Sequence, residues 1–180
     1  MAITRIITPA VTDANVTLAK LSATGTKNST TFLRGDNTFA AVSTTGRLIQ
    51  MVQATDTSAL SSSSTSYVDT GLTANITCSA TSSKVLVLVS MGTFGADAAG
   101  SGGAAIKLLR GSSALIENSG LGAHPTITYL YTAGPSFSYL DSPSSTSQLT
   151  YKTQFKSNGG ENFVTSHDST ATITLLEVSQ

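Results

Sequence analysis

From Arg47 to the C-terminus the chain alternates apolar and polar residues in short runs, broken by clusters of Ser, Gly, Asn and Pro. The runs return about every 8–12 residues, the rhythm of an all-β sandwich or barrel. Gln148–Ser157 is the clearest case: Leu149, Tyr151, Thr153 and Phe155 fall on one strand face, and Thr150, Lys152, Gln154 and Lys156 on the other. Leu72, Ala74, Ile76 and Cys78 alternate in the same way with Thr73, Asn75 and Thr77. Ile127, Tyr129 and Tyr131 make an aromatic face that resumes after Gly134-Pro135 with Phe137 and Tyr139. Arg110-Gly111-Ser112-Ser113 predicts a hairpin turn between Ala104–Leu109 and Ala114–Glu117. The Gly-rich stretch 96–105 reads as a loop, Ser58–Ser66 as a loop or edge, and Ser142–Ser147 as a turn.

Val85-Leu86-Val87-Leu88-Val89 breaks the alternation, being apolar on both faces. In a two-sheet sandwich one face of such a strand meets the core, so the other needs a second cover. A neighbouring subunit is the simplest one, since each buried aliphatic side chain contributes roughly 1.5–3 kcal/mol. The last strand repeats the pattern, with Ile173 and Leu175 on one face and Leu176 and Val178 on the other. Val85, Leu86, Val87, Leu88, Val89, Leu175 and Leu176 are therefore the expected inter-subunit positions.

The N-terminal quarter has a different character. Residues 3–9 read as an extended arm, and Asp13 is placed to cap a brief helix through Leu21. So short a helix is marginal alone and needs neighbours. The stretch from Thr24 to Gly46 is small, polar and turn-rich, with Phe32, Leu33 and Phe39 as isolated apolar anchors. The organisation read from this pattern is an extended or helical stem at 1–23, a linker at 24–46 and a β-rich body at 47–180.

Ten basic residues balance ten acidic ones, so the phosphate-neutralising surplus of a nucleic-acid binder is missing. With 27 serines and 29 threonines and only 11% charged residues, the surface is expected to be mostly neutral hydroxyls. A surface so weakly charged favours association. Cys78 is the single cysteine, which leaves no intramolecular disulfide. No signal-peptide pattern and no membrane-spanning run is read in the chain, so synthesis in a cytoplasm without membrane insertion is expected.

Candidate chemistry is sparse. Arg34-Gly35-Asp36 spells an adhesion tripeptide, but a turn with Asp36 capping it locally and Arg34 paired to a neighbour explains the letters. His124 and His167 are the only histidines and lack partners at ligand spacing, so neither a metal nor any other cofactor is expected. Ser166-His167-Asp168 are consecutive, which turns neighbours in a strand to opposite faces and argues against a triad. No pair of carboxylates stands out for glycoside cleavage, and no enzymatic activity is expected. Tyr129 and Tyr131, with Phe137 and Tyr139, either stack on a sugar or pack into a core or interface, the latter being favoured. Phe94 beside the Gly-rich loop, and the Leu121–Pro125 loop carrying His124, are the expected outward tip.

The run T-G-T-K-N-S-T-T-F-L-R-G-D-N-T-F closely resembles a linker that recurs in tail fibres and related appendages of tailed bacteriophages. V-T-L-A-K-L at Val16–Leu21 is similar to stem segments of the same proteins. S-T-S-Y-V-D-T-G-L-T-A-N-I-T, S-S-K-V-L-V-L-V-S and the closing I-T-L-L-E-V look like their β-rich terminal domains. Residues 95–160 carry no such likeness. The resemblance implies a homotrimeric virion appendage, attached to other virion proteins by its N-terminus and presenting a jelly-roll-like knob to a host-surface glycan or protein. The stem is short for a long tail fibre, which leaves room for a baseplate-attached short fibre, with a structural head fibre or capsid-decoration protein without a host ligand as the alternative.

Overall fold

Period-two alternation becomes strands almost wherever it occurs. The computed structural model describes residues 23–96, 104–121, 130–158, 162–164 and 169–180, and every regular element among them is a β-strand. The helix expected at Asp13–Leu21 lies outside the described residues. The chain divides into two compact units, Met1–Thr44 and Thr45–Gln180.

In the first unit β1 (Thr31–Leu33) pairs antiparallel with β2 (Phe39–Ala41), Leu33 standing opposite Phe39. The linker motif is therefore a small hairpin, and Arg34-Gly35-Asp36-Asn37 is its turn. Arg34 N donates to Thr38 O at 2.8 Å, and Asn37 N donates to Arg34 O at 3.0 Å. The left-handed position falls on Asn37, at φ 63°, a residue that tolerates that region. Asp36 Oδ1 accepts from Thr38 N at 3.2 Å and Thr38 Oγ1 at 2.6 Å, while Arg34 Nη2 lies 3.3 Å from Asp36 Oδ2.

The second unit holds β3 (Leu48–Asp56), β4 (Leu60–Ser62), β5 (Val68–Thr77), β6 (Lys84–Ser90), β7 (Thr93–Ala96), β8 (Ala104–Arg110), β9 (Ser113–Leu121), β10 (Leu130–Ala133), β11 (Ser136–Asp141), β12 (Gln148–Ser157), β13 (Asn162–Val164) and β14 (Ala171–Val178). Sheet 1 has the order β11-β6-β14-β3, and sheet 2 the order β5-β12-β8-β9. All of their pairings are antiparallel. The two sheets pack over one core, with Val85, Val87, Val89, Ile173 and Leu175 from sheet 1 meeting Leu72, Ala74, Ile76, Ile106, Leu108, Tyr151 and Phe155 from sheet 2.

Sheet 3, in the order β10-β7-β13-β4, is made differently. β4 and β7 each lie in a connection from sheet 1 to sheet 2, and β10 and β13 in connections that return. Four separate crossings thus supply one strand each. Ser58–Ser66, read as a loop or edge, holds the edge strand β4. Of the stretch 96–105 read as a loop, residues 97–103 lie outside the described residues and its two ends belong to β7 and β8, because backbone pairing rewards even short, small-residue segments once a neighbouring strand is present.

Two glycines are required by backbone geometry. Gly71, at φ 92°, sits where β5 bulges past β12, the register shifting between Lys152 and Gln154. A Cβ on Gly134 would run into the carbonyl oxygens of Met91 and Gly92. The hairpin turn predicted at Arg110–Ser113 is present, with Gly111 at φ 58°.

Candidate interaction surface

Alternation along β6 separates the V-L-V-L-V run into two populations. Val85, Val87 and Val89 are buried, whereas Leu86 is half-buried and Leu88 is 40% exposed. On β14 Leu175 is buried in the same core and Leu176 lies on the outer side. Of the seven positions expected at a subunit contact, Val85, Val87, Val89 and Leu175 are thus taken up by the chain's own core. Leu86, Leu88 and Leu176 face outward.

Register assembles a larger surface from these three. Leu140 of β11 pairs with Leu86, Leu86 with Leu176, and Leu176 with Met51 of β3. One apolar row therefore crosses all four strands of sheet 1 on its outer side. Its ends are the most open, with Leu140 at 52% and Met51 at 63% exposure. One row toward the N-terminus of β3 come Val178 and Leu48, with exposed Ile49 at the adjoining bulge. In the other direction the face turns to hydroxyls. Ser138, Leu88, Thr174 and Gln53 form the next row, and Ser136, Ser90, Thr172 and Thr55 the one after. A shallow depression around Leu88 is walled by Ser90, Ser136, Ser138, Thr172 and Thr174. Among the described outward positions of this sheet only Lys84 is charged.

The outer side of sheet 2 has the opposite chemistry. Asp69 accepts from Gln154 Nε2 at 2.7 Å and Lys152 Nζ at 3.0 Å, which lowers its pKa. Lys107 lies 3.9 Å from Glu117, and the Lys107 ammonium sits 3.5 Å from the centre of the Tyr67 ring. This face is built for water; the outer face of sheet 1 is not.

Two carboxylates lie at the end of the core where β14 finishes. Asp141 and Glu177 occupy one cross-strand row on either side of Val85. Glu177 is fully buried and takes hydrogen bonds from Ser79 N (2.7 Å), Ser79 Oγ (2.6 Å), Ser83 Oγ (2.7 Å) and Gln50 Nε2 (2.6 Å). Burial alone would raise its pKa, but these donors outweigh that cost and hold it at about 2. Asp141 accepts from Arg110 Nη1 and Tyr151 Oη, both of sheet 2. Burial and the adjacent carboxylate raise the Tyr151 pKa. Both acids are held by donors inside the fold rather than flanking a cleft.

The expected ligand residues fall apart. Phe94, expected at an outward tip, is 1% exposed and belongs to the core, because β7 is a strand whose alternation turns that ring inward. His124 and Tyr129 lie outside the described residues, as does His167. Tyr131 is in β10, opposite Gly95 of β7. Phe137 and Tyr139 are partly buried against the core, opposite Val89 and Val87. Cys78 is buried, as expected of a small apolar residue in that alternation. Met51, Leu48 and Leu140 did not stand out in the sequence. The available signal was alternation itself: once Phe137 and Tyr139 point inward, Leu140 must point outward.

No known protein family matches the chain, and no curated protein is significantly similar to it. The functional reading therefore rests on the surface just described and on the linker wording.

Proposed function

We propose that this protein is a virion appendage of a tailed bacteriophage that works as a homotrimer, its β-rich second unit engaging a host-surface glycan or protein. The observation that carries the reading is the uncovered apolar row Leu140–Leu86–Leu176–Met51 on an otherwise closed sandwich. A patch of this kind on a soluble surface marks a protein contact. The strand orders β11-β6-β14-β3 and β5-β12-β8-β9 support a jelly-roll reading of the fold. The linker hairpin supports the appendage reading through its wording. In this role residues 1–23 attach to other virion proteins and 24–46 join them to the recognition unit. Affinity for a host surface then comes from several weak sites acting together. Asp141 and Glu177, saturated by internal donors, favour binding over hydrolysis.

Two measurements test the proposal. Light scattering on the full chain at micromolar concentration is expected to give three times the chain mass; a monomer overturns the assembly. The purified protein is expected to label host cells and to compete with phage adsorption. Failure in both, together with binding to emptied capsids, replaces host recognition with a structural role as a head fibre or decoration protein.

A further inference from the structure

We infer that a second copy of this chain covers the outer face of sheet 1 in parallel orientation, the Leu140 edge of one copy meeting the Met51 edge of the next. The inference rests on the proposed homotrimer and specifies which edges it uses. Three observations carry it.

The first is charge. The outward positions of sheet 1 hold Lys84 as their one charged side chain among the described residues, whereas the outer side of sheet 2 carries Asp69, Lys107, Glu117, Lys152 and Lys156. With one lysine, at the end of its strand, as its single charge, this face buries against its own copy with little ionic cost.

The second is a gradient along the strands. The Met51–Leu176–Leu86–Leu140 row is apolar, the Leu48–Val178 row beside it is apolar apart from Lys84, and the next two on the other side are dominated by Ser and Thr. Parallel copies lay apolar rows on apolar rows and hydroxyls on hydroxyls. Antiparallel copies in full overlap would set leucines against hydroxyls. An antiparallel stack slid to match leucine with leucine would use only about half the face. With strands about 4.8 Å apart and about 3.3 Å per residue, the whole face projects to roughly 440 Å². The slid stack therefore covers only about half of what parallel copies cover.

The third is the placing of exposure. Within the Leu140–Leu86–Leu176–Met51 row the two most open residues, Leu140 and Met51, stand on the two different edge strands, while Leu86 and Leu176 between them are half-buried. A closed ring needs two unlike edges on each copy.

The test uses the full chain with Cys78→Ala as background, carrying Met51→Cys, Leu140→Cys or both. A thiol cross-linker is chosen too short for the about 14 Å that separates the two positions within one chain. The double variant, and the two single variants co-expressed, are expected to give covalent multimers, and each single variant alone at least tenfold less. Cross-linking by either single variant alone overturns the parallel arrangement. A trimer by light scattering with no cross-link in any variant overturns the assignment of this face while leaving the homotrimer standing. A monomer overturns both. Leu88→Asp, on the same face but in a hydroxyl-dominated row, is expected to keep the strand signature in circular dichroism while shifting the trimer toward monomer at least tenfold in concentration. An unshifted trimer overturns the inference.

Discussion

Arg110 Nη1 lies 2.6 Å from Asp141 Oδ2, and this ion pair ties sheet 2 to sheet 1. Tyr151 Oη donates to the same carboxylate oxygen at 2.6 Å. Asp141 is 5% exposed, so its removal leaves a partly buried guanidinium and a buried phenol without their acceptor. Asp141→Ala is expected to cost about 3 kcal/mol, the low end for breaking a buried pair because Arg110 keeps some access to water. Urea unfolding measures it, with Asp69→Ala, whose partners lie on the surface, as the control expected to cost under about 1 kcal/mol.

Glu177 sets an acid limit on stability. Its pKa is about 2 in the folded chain against an ordinary 4.5, so the folded state binds fewer protons than the unfolded state between those values. Its contribution is complete above pH 4.5 and is lost as the pH falls toward 2. The shift corresponds to about 3 kcal/mol. Glu177→Gln is expected to be less stable than the parent at pH 7 by about that amount and to flatten the stability profile between pH 4.5 and 2. An unchanged acid slope would refute the assignment.

The two faces of β6 are expected to respond differently to the same charge. Val87 has no exposure, so Val87→Asp places an unpaired carboxylate in the core and is expected to prevent folding at 25 °C. Leu88→Asp is expected to leave the fold of a single chain within about 1 kcal/mol of the parent's, because the side chain reaches solvent when no partner covers the sheet. Circular dichroism and urea midpoints distinguish the two.

Gly134 is fixed by close approach. Backbone oxygens of Met91 and Gly92 occupy the space of a Cβ, and Met91 N donates to Pro135 O at 3.0 Å beside them. Backbone cannot yield as a flexible side chain does, so Gly134→Ala is expected to cost about 2 kcal/mol. Thermal unfolding reads the loss, and Gly35→Ala, with open space around it, is expected to be nearly neutral.

Much of the sandwich was legible because period two is unambiguous over long runs. Leu72 to Cys78 and Tyr151 to Phe155 pointed inward as their spacing required. V-L-V-L-V announced a strand with two apolar faces, but not which face its own partner sheet would take; that depended on Ile173 and Leu175 joining the same side. The row from Leu140 to Met51 was hidden because its members come from four segments spread over about 125 residues of sequence, and only register brings them together. Phe94 was misplaced because glycine and alanine around it read as a loop, although backbone pairing alone made the strand. Glu177 did not stand out in the sequence, since nothing local reveals the donors that Ser79, Ser83 and Gln50 bring from elsewhere.

Sheet 3 gathers one strand from each of four crossings, joined by amide-to-carbonyl ladders. Such ladders do not depend on side-chain identity. Apart from Phe94 and Leu60, which pack into the core, substitutions along those strands leave the ladder itself in place, a latitude that the leucine-lined half of sheet 1 does not share.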